Sequence, residues 1–289
     1  MIPGIDRKVL MAIVSPGGAK SAGEAIRGGA DFVQIRAKAL PASALLALAL
    51  EDGAVRWSAD LAADYGATPP DYGFTTTPLV EGQLLIVQVG GSEGRLLCGF
   101  ERASGALRWS AGEGAAGYAS PLAMDLLGER QVIALNGQEV LGVSPANGAV
   151  LRKQALGEQD FAGSGFPGAI DGESFYADVG SDFALFHAAK TELGYALEER
   201  ARSRDLGNTY AAPVLHAGHL YGFKGEFLTC VELASQKRVW RSRPPGGKGL
   251  ILVGSHLVVF GADGVLAVAR ATPEGYREEA RLAALDHSG

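Results

Sequence analysis

Cysteine is scarce in this chain of 289 residues, which has two, Cys98 and Cys230. Two cysteines cannot form the disulfide framework of a small secreted domain, and they cannot supply a cysteine-based zinc site. Both lie in strand-like segments of different repeats, so we expect two free and mostly buried thiols. No apolar run approaches the roughly 18 residues that a membrane-spanning helix needs, and we therefore expect no membrane span.

Positive charge is also in short supply. The sequence has 26 Lys and Arg residues against 32 Asp and Glu residues, and its formal net charge is −6. This balance argues against nucleic acid or an anionic membrane surface as the main partner. The apolar stretch near the N-terminus, Val9–Val14, is too short for a signal peptide, and no small-residue cleavage site follows it. The chain as written is therefore predicted to stay in the cytoplasm.

Glycine is abundant, at 41 residues, but the first 50 residues differ in pattern from the rest. The apolar run Val9–Val14 is typical of a strand buried on both faces. Helical spacing follows over Ala19–Gly29, alternation over Phe32–Arg36, and a second helical segment over Ser43–Leu48. The order strand, helix, strand, helix predicts a parallel βαβα unit, to which we assign residues 1–48.

From residue 49 to the end, a short sequence motif, a turn followed by a tryptophan, recurs at regular intervals. It reads Glu51–Trp57, Ala103–Trp109 and Ala234–Trp240, and a weaker copy has Arg152 in the tryptophan position. The copies recur about every 43 residues, which is typical of four-stranded propeller blades. We therefore predict an all-β fold over residues 49–289 with about five and a half blades, in which the tryptophans pack between neighbouring blades.

The segment Arg102–Trp109 resembles the repeat of the pyrroloquinoline quinone (PQQ)-like β-propellers, and the resemblance extends over about residues 46–289. Many members of that family are non-enzymatic exported propellers or assembly-factor-like scaffolds, and others are quinoprotein alcohol dehydrogenases. The dehydrogenases carry a disulfide between adjacent cysteines, a calcium site and an aspartate base, and this chain has no adjacent cysteines. The resemblance implies a scaffold or binding module with no catalytic residues, cofactor or metal, whose partner is an unknown protein or small molecule. Quinone-dependent dehydrogenation is an alternative.

Residues 4–48 resemble the start of thiamine phosphate synthase, a TIM barrel. The match is Val33–Lys38, which is similar to V-Q-x-R-x-K at the end of that family's second strand. The resemblance implies that Gln34, Arg36 and Lys38 hold a pyrimidine and its pyrophosphate, and two cations beside an amide can bind an anion. A thiamine phosphate synthase remnant is thus another alternative function, although a whole barrel needs about 200 residues.

The segment Leu45–Leu50 fits both parts, because it serves as the second helix of a synthase or as the third strand of a blade. A join within such a segment indicates a fusion of two unrelated coding sequences. Intact relatives among the PQQ-like propellers have more blades and are often exported or periplasmic. We therefore expect a propeller that is truncated at both ends and associates with itself through open blade edges.

Two local features have alternative interpretations. His216 and His219 flank the turn Ala217-Gly218, where they can share a metal ion or face solvent, and no third ligand is apparent in the sequence. The acid-rich stretch Glu192–Arg204 predicts a long solvated hairpin or a short helix.

Overall fold

Among the residues that the structure describes, the fold consists of β-strands and one short α-helix. The computed structural model describes residues 11–14, 32–35, 44–48, 55–156, 167–192, 194–207, 211–247, 249–261 and 263–283. The chain divides into two compact units, Met1–Ala116 with Ala146–Gly148, and Gly117–Pro145 with Ala149–Gly289. Across the residues just given, no helix is long and apolar enough to cross a membrane.

The first unit contains two short sheets and one four-stranded sheet among its described residues. Strands β1 and β2 pair in parallel, β3 and β4 pair antiparallel, and β5 to β8 form an antiparallel sheet in chain order. The elements are β1 Met11–Val14, β2 Phe32–Ile35, β3 Ala44–Leu48, β4 Val55–Asp60, α1 Leu61–Tyr65, β5 Leu79–Glu81, β6 Leu84–Gly91, β7 Arg95–Glu101 and β8 Leu107–Ala111.

The helix expected over Ser43–Leu48 is wrong, because Ala44–Leu48 is strand β3. It pairs with β4 so that Ala47 lies opposite Trp57. Pairing with a neighbouring strand overrides the local helical spacing, which is only a weak preference. The other expected helix, Ala19–Gly29, lies outside the described residues.

Within its described residues, the second unit contains four antiparallel four-stranded sheets, each formed by consecutive strands. The strands are β9 Leu122–Leu126, β10 Glu129–Leu135, β11 Glu139–Val143 and β12 Val150–Ala155; β13 Gly168–Ala169, β14 Ser174–Val179, β15 Asp182–Thr191 and β16 Gly194–Ser203; β17 Val214–His216, β18 His219–Lys224, β19 Phe227–Glu232 and β20 Arg238–Ser242; and β21 Gly249–Val253, β22 His256–Phe260, β23 Val265–Arg270 and β24 Glu278–Ala283. The long arms β15 and β16 confirm the hairpin predicted around Glu192–Arg204.

Two-residue turns join the first two strands in four of the five four-stranded sheets. Leu127-Gly128 and Ala217-Gly218 have positive φ at both positions, whereas Gly82-Gln83 and Gly254-Ser255 have it at the glycine alone. These patterns are those of type I′ and II′ turns, whose twist matches that of the flanking strands. The turn chemistry thus fixes the register of each first hairpin.

Apolar layers between successive sheets form the core of the second unit. In β14, Phe175, Ala177 and Val179 pack against the sheet β9–β12, whereas Tyr176 packs with Leu220 of the sheet β17–β20. Successive side chains of a strand point to opposite faces, so this sheet is buried on both sides. A further layer lies between the sheets β17–β20 and β21–β24.

Both cysteines are free and fully buried, which confirms the prediction for Cys98 and Cys230. Burial raises the pKa of Cys98 to about 12 and that of Cys230 to about 11. Because the thiolate is the reactive form, these are structural thiols rather than nucleophiles.

Candidate functional site

The side chain of the repeated tryptophan, on the last strand of one sheet, contacts a turn of the next sheet. Trp57 Nε1 donates a hydrogen bond to the main-chain oxygen of Arg102, at 2.9 Å. The same ring lies against Gly105, whose φ is +75°, and a Cβ added there would be 2.6 Å from the ring. The turn glycine thus provides both the left-handed conformation and the space that the indole occupies.

Each of the other two tryptophans shows one part of this contact. Trp240 Nε1 donates to the main-chain oxygen of Thr272 at 2.9 Å. The side chain of Trp109 lies against Gly148, another turn glycine with φ of +75°. The hydrogen bonds of Trp57 and Trp240 confirm, for these two residues, the prediction that the tryptophans pack between neighbouring sheets.

In strand β12, Arg152 occupies the position that the tryptophan has in the other repeats, and its contact with the next sheet is of a different kind. Its guanidinium stacks over the ring of Tyr195 in β16, 4.4 Å from the ring centroid. The Arg152 side chain is 1% exposed, and the carboxylate of Glu129 lies 3.9 Å away. Within the described part of the chain, its Nε, Nη1 and Nη2 have no hydrogen-bond partner. Burial lowers the pKa of Arg152, while Glu129 and Tyr195 oppose that effect. Stacking on an aromatic ring therefore replaces the indole hydrogen bond at this position.

A buried carboxyl group lies between the sheets β13–β16 and β17–β20. Asp178 is on the same face of β14 as Tyr176, and its side chain is 2% exposed. Its Oδ1 has no hydrogen-bond partner among the described residues. Gly207, with φ of +90°, approaches so closely that a Cβ there would be 3.2 Å from Oδ1. The carboxyl group is therefore enclosed by main chain and side chains of two sheets.

Lys224 is the cation that acts on Asp178. It ends strand β18, and its Nζ donates to the main-chain oxygens of Ser181 at 2.7 Å and Leu206 at 3.4 Å. Burial raises the pKa of Asp178 to about 7, and Lys224 lowers it to a smaller extent. Protonation of Asp178 near neutral pH is thus coupled to the packing of these two sheets.

Every described four-stranded sheet has an exposed apolar side chain on its last strand, and the first strands β5 and β21 have one as well, Val80 (53%) and Ile251 (58%). On each of these last strands, one large hydrophobic side chain is more than a third exposed to solvent. The five side chains are Leu107 (38%), Val150 (48%), Tyr195 (37%), Val239 (43%) and Leu282 (63%). Each lies on a strand that has a paired neighbour on one side only. Edge strands of this kind offer main-chain groups for pairing with another chain. They form the candidate interaction surface, and we call them the edge strands.

The residues predicted for pyrimidine pyrophosphate binding are not tested by this geometry. Gln34 lies on strand β2, for which the structure gives the backbone only. Arg36 and Lys38 lie outside the described residues. Their role stays a prediction. In the part of the chain that is described, no three His, Cys, Asp or Glu side chains group as metal ligands.

Sequence reasoning missed Asp178 and Lys224. The sequence signal for this site is the carboxylate of Asp178, which stands between apolar residues at the end of the strand Ser174–Val179. Its partner could not be found in the sequence, because Lys224 belongs to another sheet.

The successive antiparallel four-stranded sheets have the architecture of a β-propeller. The family model described as "Outer membrane protein assembly factor BamB" matches residues 41–171. BamB from Moraxella catarrhalis is similar in structure, with a TM-score of 0.62 and 20% identity over 83% of this chain and 70% of that chain. The Cps50 (Swd1) β-propeller domain from Myceliophteria thermophila is also similar, with a TM-score of 0.51 and 14% identity over 72% of each chain. A search of curated proteins finds no match.

The comparisons confirm the predicted all-β propeller fold. The match begins at residue 41, just before β3, and thus includes the segment Leu45–Leu50 that fitted either a helix or a blade strand. The observed pairing of β3 with β4 agrees with the blade interpretation of that segment. The resemblance of residues 4–48 to thiamine phosphate synthase is not supported by a match and stays a prediction.

Proposed function

We propose that this chain is a non-enzymatic scaffold or binding module that holds a protein partner on its edge strands. The observation that carries the proposal is the exposed apolar side chain found on each of these strands. An extended segment of a partner can add to such a strand through main-chain hydrogen bonds, while pockets and charges beside it give specificity. The partner is therefore a protein with an exposed extended segment.

Strand β20 has the best combination of groups for this role. Val239 is 43% exposed, and Arg241 stacks its guanidinium 3.6 Å from the ring centroid of Phe227. Arg238 begins the strand and Arg243 follows it, and they form ion pairs of 2.8 Å with Asp205 and Glu226, respectively. In a chain with a net charge of −6, Arg241 thus supplies a cation near the exposed Val239, and this combination favours a partner segment with apolar and acidic side chains.

The sequence comparison supports a protein partner. The matching family model carries the description of an assembly factor, and assembly requires contacts with other proteins. The family model matches residues 41–171, which include the edge strands β8 and β12.

Site-specific photo-crosslinking in the cell of origin tests the proposal. A photoreactive amino acid at Val239 is expected to give one dominant adduct with another protein, whereas the same amino acid at Gln83, an exposed turn residue, should not. With the purified partner, Val239→Asp is expected to weaken binding at least about tenfold, which corresponds to roughly 1.4 kcal/mol. The control Gln83→Asp should leave the affinity unchanged.

Two results would contradict the proposal. Equal adducts from positions 239 and 83 would show non-specific contact. An adduct between two copies of this chain would show that the edge strand serves self-association instead of a different partner.

A further inference from the structure

We propose that His216 and His219 form a binding site for a divalent transition-metal ion, with Cu²⁺ preferred over Ni²⁺ and Zn²⁺. Two imidazoles would bind the ion and water would complete its coordination. The site is independent of the edge strands and of the proposed function.

The strand register places the two imidazoles opposite each other. His216 ends β17, His219 begins β18, and the two residues are direct partners across the turn Ala217-Gly218. Positive φ at both turn residues holds this hairpin in its tight two-residue form. Side chains that are direct cross-strand partners lie on the same face, with Cβ atoms about 5 Å apart. Two imidazoles at this separation can both reach one ion, since metal–nitrogen bonds are about 2 Å long.

A hydrogen bond favours the metal-binding tautomer of His219. Its Nδ1 lies 2.9 Å from the main-chain oxygen of Ala217. A carbonyl oxygen only accepts hydrogen bonds, so this contact places the proton of the neutral ring on Nδ1 and leaves the lone pair on Nε2. Histidines that bind metals are commonly oriented by this kind of hydrogen bond from the other ring nitrogen.

The surroundings leave both imidazoles accessible. His216 and His219 are each half-buried, and His216 has no hydrogen-bond or ion-pair partner among the residues that the structure describes. Glu232 is the partner of His219 on β19, but its Oε2 accepts a hydrogen bond of 2.6 Å from Ser235. Because no third His, Cys, Asp or Glu joins the pair within those residues, the site is a two-histidine site.

The ligand type determines the class of ion. Neutral imidazole nitrogens suit copper, nickel and zinc, whereas magnesium and calcium prefer oxygen ligands. For a site of given ligands the affinity rises from nickel to copper and falls again at zinc.

Titration of the full chain with Cu²⁺ alone tests this site, followed by calorimetry and by electron paramagnetic resonance. The unmodified chain is expected to bind one ion with a spectrum typical of nitrogen ligands. His216→Asn and His219→Asn should each lower the affinity at least about tenfold. His256→Asn is the matched control, because His256 lies opposite Val253 and its Nε2 contacts Glu279 at 2.9 Å.

His216→Asn and His219→Asn are expected to keep the far-ultraviolet circular dichroism spectrum and the metal-free melting temperature of the unmodified chain. Equal affinity in all three variants and the unmodified chain would place the copper elsewhere and overturn the proposal. Absence of Cu²⁺ binding by the unmodified chain at pH 7.5, or equally tight binding of Mg²⁺ or Ca²⁺, would also overturn it.

Discussion

Trp57 and Arg102, which are 45 residues apart in the sequence, are joined by a hydrogen bond of 2.9 Å from the indole nitrogen to the main-chain oxygen. The bond links β4 to the turn between β7 and β8. The same ring packs near Phe100, with ring centroids 6.3 Å apart. One side chain thus supplies a directional bond and apolar contact between two sheets.

Trp57→Phe is expected to remove the hydrogen bond while most of the apolar contact stays. The free energy of unfolding should fall by about 1 kcal/mol, as measured by urea denaturation followed by circular dichroism. Arg56→Lys, an exposed change on the same strand, is the control and should have no effect. Equal stability of Trp57→Phe and the unmodified chain would show that the indole hydrogen bond contributes nothing.

Gly105→Ala is expected to be more harmful than Gly82→Ala. Both glycines have positive φ, +75° and +57°, so both changes strain the backbone by about 1 kcal/mol. Only at Gly105 would the new Cβ also collide with Trp57, at 2.6 Å, because no atom lies within 4 Å of a Cβ at Gly82. Gly105→Ala should therefore lose at least about 1 kcal/mol more. Equal losses in urea denaturation would show that the ring moves aside freely.

The sequence predicts the repeats well because each repeat carries its own local signals. The spacing of Trp57, Trp109 and Trp240 predicts the blades, and the turn Ala217-Gly218 predicts its hairpin. The helix expected over residues 43–48 fails because β3 depends on pairing with β4, which local spacing does not contain. The contacts Arg152–Tyr195 and Asp178–Lys224 are equally hidden from the sequence. Each depends on which faces of two sheets meet, and this is fixed only by the packing of the whole unit.

Arg152→Met is expected to leave the stability unchanged or to increase it. Burial of a guanidinium without hydrogen-bond partners lowers the free energy of unfolding through desolvation of the charge. A methionine of similar length carries no charge and avoids this loss. Arg152→Lys should be destabilising by about 1 kcal/mol or more, because it keeps the buried charge and loses the planar stacking on Tyr195. Urea denaturation of both variants measures the difference. If Arg152→Lys is as stable as the unmodified chain, the stacking contributes nothing.

Asp178 is expected to make the stability of the protein fall as the pH rises from about 4 to about 7. Burial raises the pKa of this carboxyl group from 3.8 to about 7, against the smaller effect of Lys224. In this range the folded chain holds a proton that the unfolded chain has released. The stabilising contribution is therefore complete below about pH 4 and is lost as the pH passes 7, and a difference of this size corresponds to on the order of 4 kcal/mol.

Asp178→Asn removes this titration and should flatten the pH dependence between pH 4 and pH 8, as measured by urea denaturation at each pH. The neighbouring Tyr176 stays neutral over this range, because burial raises its pKa to about 12. Asp125→Asn is the matched control, since the Asp125 side chain is 70% exposed. Its curve should run parallel to that of the unmodified chain. A parallel curve for Asp178→Asn as well would show that Asp178 is already ionised at low pH, with water or Lys224 compensating its charge.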